Sequence, residues 1–222
     1  MSFFKRKAEE LQIKRAERES TRSLEKTFRK SLSELKALFA TGPHDLEKLR
    51  HSAYPKPIYQ GDVGIHAFGL VYHVQPHQFP VLLNLTRQGR KEVSYLHFER
   101  VLDGYSLHTI VSPEWRFAQR DVRLLSNDVE LLAALSTQGF QPPPPWITLY
   151  ELGLVLYVTQ GDAHFWLNYV WDPFWESLSL EEQDGYLARA RMETATYILE
   201  GDWAEWVESV RMRDARYRKL ED

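Results

Sequence analysis

Five of the eight histidines of this chain, His66, His73, His77, His97 and His108, fall in one stretch with a two-residue apolar period. Imidazoles gathered from neighbouring strands can hold zinc or iron. The spacing argues against a simple metal site. His66 and His73 are an odd number apart and so face opposite sides of a strand, and Pro76 separates His73 from His77. His97 and His108, across one turn, form the remaining candidate pair, and ordinary hydrogen-bonded histidines are the simpler account. No metal site is assigned.

Carboxylate pairs are the second route to chemistry, since glycoside and nuclease reactions need two acids close together. If residues 146–171 form a hairpin, its register sets Glu151 opposite Asp172, where one carboxyl would be raised or a cation held. Pairing that ends before Pro173, with both acids splayed into water, explains the two residues as well. The chain has no GxxxxGK[ST], GxGxxG after a strand, GxSxG, HExxH or EF-hand loop. It also has no cysteine, which excludes thiol nucleophiles, thiolate zinc sites and disulfides. No catalytic residue and no cofactor are therefore assigned, and the reading leans against an enzyme.

What remains is a surface for recognition. Six of the seven tryptophans lie between residues 146 and 206, and residues 146–208 hold 12 acids against 2 basic residues. Tryptophan and tyrosine anchor interfaces, and a dense acidic field speeds docking of a basic partner. Trp171, Asp172, Phe174, Trp175 and Glu176, in an apparently irregular loop, together with Glu151, are the expected partner-binding residues. Trp166, Trp203 and Trp206 are assigned to the core. The expected function is non-enzymatic binding of another protein, such as an immunity or inhibitor protein plugging a basic toxin. A metal-dependent hydrolase built on strand histidines and carboxylates is the first alternative. Nucleic-acid or anionic-membrane binding through the N-terminal arm is the second.

These residues need elements to position them. Trp146 to Trp171 reads as a β-hairpin about Gln160-Gly161-Asp162-Ala163, with Gly161 taking the positive φ of a II′ turn. Its folded register sets Val158 against Phe165, Leu156 against Leu167, Leu154 against Tyr169 and Leu152 against Trp171. Upstream, four strands are expected at 65–74, 81–86, 93–99 and 106–111, forming an antiparallel meander. Residues 115–125 are ambiguous. Ser126-Asn127-Asp128 caps a helix through Leu135, with Val129, Leu132 and Leu135 inward. Pro142 to Pro145 reads as a rigid polyproline loop. A capping box of Ser179 with Glu182 begins a helix to about Leu199, and Asp202 starts another whose stripe is Trp203, Trp206, Val207, Val210 and Tyr217.

Residues 2–40 lack glycine and proline and read as one long polar helix. Leu24, Phe28, Leu32, Leu35 and Phe39 form its docking stripe. Residues 1–60 carry 14 Lys and Arg against 8 acids, whereas residues 61–222 carry 14 against 23. The expected fold is α+β: a meander plus central hairpin packed by C-terminal helices. The expected domains are a basic helical arm over residues 1–42 and one domain over 43–222. A cytoplasmic location is expected.

Overall fold

The computed structural model describes residues 18–44, 46–49, 54–74, 76–116, 119–153 and 160–221. Residues 18–28 are helical (α1), and a second helix, α2, spans Leu32–Leu38. The expected single arm helix is thus broken: Arg29 takes φ 52°, and Ser31 opens α2 with a reciprocal capping box to Glu34. A left-handed residue ends a helix because its positive φ turns the chain that follows out of the helical ladder. The start of the arm, residues 1–17, lies outside the described residues.

Among the described residues, six antiparallel strands follow: β1 (Ile58–Tyr59), β2 (Phe68–Val74), β3 (Lys91–Ser94), β4 (His97–Leu102), β5 (Tyr105–Arg116) and β6 (Gln119–Ser126). Their order across the sheet is β1-β2-β6-β5-β4-β3. The ambiguous stretch resolves as β6, which pairs β2 on one side and β5 on the other. Asp103 and Gly104, with φ 51° and 80°, join β4 to β5 through a two-residue turn of type I′ character. The strand expected at 81–86 is instead inside a helix, α3 (Gln78–Arg87). Leu82 and Thr86, four apart, are its buried positions, and Thr86 donates its hydroxyl proton to the Leu82 carbonyl at 2.9 Å. That spacing is helical, and the β-branched residues there had suggested a strand.

Alternation along the strands sends side chains to two cores. Leu124 of β6 and Val111 of β5 face one, while Leu125 and Ile110 face the other. The smaller core is closed by Phe28, Leu35 and Phe39, with Leu24 and Leu32 partly buried around it, so the expected stripe of the arm docks on the sheet. Ser112 Oγ donates to the Thr27 carbonyl at 2.7 Å, and Asn127 Nδ2 donates to the Thr41 carbonyl at 3.0 Å, which pins this layer in place.

The larger core receives α4 (Val129–Ser136), capped by Asp128 as expected, and the C-terminal helices. After a short helix α5 (Pro145–Thr148), the chain does not form the expected hairpin. Gly161–Trp166 is helix α6, Leu167–Trp171 is a π-helical turn, and Asp172–Ser177 is helix α7. Residues 154–159, the other half of the expected hairpin, lie outside the described residues. Buried positions Ala163, Trp166, Leu167, Val170, Trp171, Phe174 and Trp175 recur at three and four residues, the spacing of one helix face. Helix α8 (Leu180–Thr194), opened by the Ser179 and Glu182 capping box, α9 (Glu200–Arg211) and α10 (Ala215–Glu221) complete the fold, which is α+β. Among the described residues, no helix is long and apolar enough to cross a membrane.

Candidate functional site: an acidic aromatic groove

The residues expected to meet a partner are not brought together on one surface. Trp171 and Trp175 are fully buried and Phe174 nearly so. Trp166 stacks on Trp171 at 6.1 Å between ring centroids, and Trp171 on Trp175 at 5.4 Å. The π-helical turn explains this column. Its wider turn aligns residues five apart, so Trp166 and Trp171 fall on one face before the α spacing resumes at Trp175. The segment expected to be an irregular display loop is therefore core, and these three aromatics present nothing to a partner.

Asp172 is clasped by Arg213, whose Nη2 lies 2.6 Å from Oδ2, so it does not face Glu151. Glu176 is exposed, and its carboxyl is raised by partial burial and by the neighbouring Asp172 and Asp214. Glu151 is exposed on the short 3₁₀ turn Tyr150–Leu152. Close by, Asp214 receives Gln183 Nε2 at 2.8 Å and the Arg216 guanidinium. Burial pushes its carboxyl up, but these hydrogen bonds prevail and hold it at about 2. This node also ties Gln183 to the Trp175 carbonyl at 2.8 Å and so fixes the chain's end against α8.

Glu151 follows Tyr150, which lines a groove at the surface. Tyr150, Gly153, Tyr197, Ile198, Asp202 and Trp206 line a groove of about 290 Å³. Tyr150, Leu152, Tyr197 and Leu199 are all about half exposed or more, Leu199 reaching 75%. The groove is made by chain reversal: α8 ends at Thr194, Thr194–Ile198 turns, and α9 starts at Glu200, which delivers Tyr197 and Ile198 beside the 3₁₀ turn, with the exposed Leu199 next in the chain. Glu193 sits close enough to Tyr197 to raise its phenol, after partial burial and ahead of Tyr150. Glu151, Glu193, Asp202 and Glu205 are all exposed, Asp202 lining the groove and Glu193 lying near Tyr197. The nearest cation, Arg191, is already held by Glu200 and the Ile198 carbonyl.

Histidine reasoning holds for one pair. His97 Nε2 lies 3.3 Å from His108 Nδ1 across β4 and β5. His66 meets Tyr59, and His73 accepts from the Trp166 indole at 2.8 Å, so these do not join it. Burial, His108 and Lys30 push His97 down to about 4, against the opposing pull of Glu99. Among the described residues, no three metal-ligating side chains converge. Tyr150, Tyr197 and Leu199 were missed by sequence reasoning. The available signal was Leu199 itself, an apolar residue at a helix N-cap, where a small polar side chain is the usual choice.

Comparison with protein-family models, with curated proteins and with solved structures finds no match to this chain.

Proposed function

We propose that this chain is a non-enzymatic protein-binding module, docking a basic protein on the groove around Tyr150 and Tyr197. The observation that carries the reading is a groove lined by the exposed Tyr150, Tyr197 and Asp202, with exposed Leu152 and Leu199 and the acid Glu151 next to its lining residues in the chain and Glu193 near Tyr197. Exposed apolar side chains gathered in one place and ringed by polar groups mark contact surfaces. Aromatic anchors supply affinity, and the acidic rim selects a cationic partner and speeds its arrival. A second copy of this chain would bring the same acids to the contact and be repelled. In its narrower form the reading is an immunity or inhibitor protein that covers a basic toxin surface.

A photo-cross-linking residue placed at position 199 tests this in lysate of the native host, with position 101 on β4 as the exposed control. The reading predicts a one-to-one adduct with a positively charged protein from position 199 alone, abolished when Tyr197→Ala is added. An adduct with a second copy, with an acidic protein, or equally from both positions would refute it.

A further inference from the structure

A second cleft has the opposite electrostatic character. It lies between the α1–α2 turn and the β3–β4 turn, with an open volume of about 440 Å³. Arg29 and Lys30 stand on one side, Ser94, Tyr95 and His97 on the other, and Ile110 belongs to its wall. Among the described residues, no aspartate or glutamate lines it. In a chain of net charge −3 this is a local reversal of sign.

We propose that this cleft binds a small organic dianion of the phosphate monoester class. In that arrangement Arg29 and Lys30 hold the phosphoryl oxygens, Ser94 Oγ donates to one of them, and Tyr95 with the apolar wall covers the organic group.

Charge is the first support. Neither cation makes an ion pair within 4 Å of an acid among the described residues. Glu34 feels Lys30, but its carboxylate is occupied by the Ser31 backbone N–H at 2.7 Å and the Ser31 hydroxyl. Two cations facing an acid-free cavity match a doubly charged head better than a carboxylate. Burial and His108, followed by Lys30 and against the pull of Glu99, hold His97 neutral. Near neutral pH the imidazole thus lines the cavity as an uncharged donor or acceptor beside Ser94 Oγ, 3.5 Å away.

Backbone strain is the second support. Three non-glycine residues have positive φ among the described residues: Arg29, Leu96 and Asp103. Asp103 belongs to its tight turn. Arg29 lines this cleft, and Leu96, at φ 53°, sits between Tyr95 and His97, which line it too. Left-handed backbone is strained for a residue that carries a Cβ. It tends to persist where it aims a side chain at a ligand. At the end of α1 glycine would serve the turn with less strain, and the arginine found there instead sets a guanidinium at the cleft. The remaining dimension is size. About 440 Å³ exceeds what a bare phosphate needs and falls in the range of small-molecule pockets.

Calorimetric titration of the full chain at low salt with phenyl phosphate, benzoate and inorganic phosphate tests the proposal, alongside Arg29→Gly, Lys30→Gln and, as a remote control, Lys219→Gln. Arg29→Gly removes the cation while relieving the left-handed backbone, so its melting temperature should match or exceed that of the parent. Phenyl phosphate should bind saturably and more tightly than benzoate or inorganic phosphate. Arg29→Gly and Lys30→Gln should each weaken it about tenfold or more, as expected for losing a charged hydrogen bond, and Lys219→Gln should leave it unchanged. Absence of saturable binding, benzoate matching phenyl phosphate, or undiminished binding by Arg29→Gly and Lys30→Gln would overturn the proposal.

Discussion

His97 is buried against a second imidazole and near the Lys30 ammonium, so protonating it places like charges close together in a poorly hydrated site. An unfolded chain takes up this proton near pH 6.5, whereas the folded chain resists until about pH 4. Between those values the unfolded state holds more protons, so stability rises with pH across the window and is lost on acidification. Denaturant unfolding of the parent should therefore weaken as pH falls from 6.5 towards 4, and the loss should be smaller in His97→Gln. Identical pH profiles would count against the placement of this ring. Asp214 acts in a separate window. Its carboxyl is depressed from 3.8 to about 2, so its stabilisation is full above its unfolded value and fades only as pH falls towards 2. The sequence suggested the His97 and His108 pairing because it depends on one turn. It did not reveal the cleft beside them, which requires residues 27–30 to lie against a turn more than 60 residues later.

Among elements, the segment from Gly161 to Trp175 shows where local pattern misled. Phe165, Leu167, Tyr169 and Trp171 alternate as a strand would, while Ala163, Trp166, Leu167, Val170, Trp171, Phe174 and Trp175 follow a helical face. Short aromatic runs satisfy both periods, and tertiary packing decides between them. Gly161 does take positive φ, at 77°, but it leads into a helix and not across a hairpin. The Ser179 and Glu182 capping box, the Asp-Gly turn and the Trp203, Trp206 and Val210 part of the last stripe were legible because each depends on contacts within a few residues, whereas the Ser31 and Glu34 box inside the expected arm helix was not, and Tyr217 falls on α10. The helical outcome changes what Trp171 does. Trp171→Ala should cost about 3–5 kcal/mol in urea unfolding, the usual loss for a buried large aromatic, through the core and not through partner contact. A second element-level test concerns the chain's end. Asp214→Ala removes the carboxylate shared by the buried Gln183 and the half-exposed Arg216 and should cost about 1.5–3 kcal/mol, as losing hydrogen bonds to a charged group does. Unchanged unfolding in either variant would contradict the packing described above.

For the whole molecule, the opposed charges of the two halves become two surfaces. The sheet separates an N-terminal layer, where the acid-free cleft lies, from C-terminal helices that carry the acidic groove. Composition gave the sign of each surface. It could not give their locations, because Trp171, Phe174 and Trp175 turn inward while Tyr150, Tyr197 and Leu199 turn outward. If the rim of Glu151, Glu193 and Asp202 steers a cationic partner, association should slow as salt is raised towards and beyond physiological strength, with a smaller change in dissociation. The most direct measurement is the affinity of the cross-linked partner, once purified, for the parent chain and for Leu199→Lys, with melting temperature as the control for folding. A loss of about tenfold or more with an unaltered melting temperature is predicted, since the substitution sets a like charge in the apolar contact. Equal affinity of the two proteins would contradict the assignment of this groove as the binding surface.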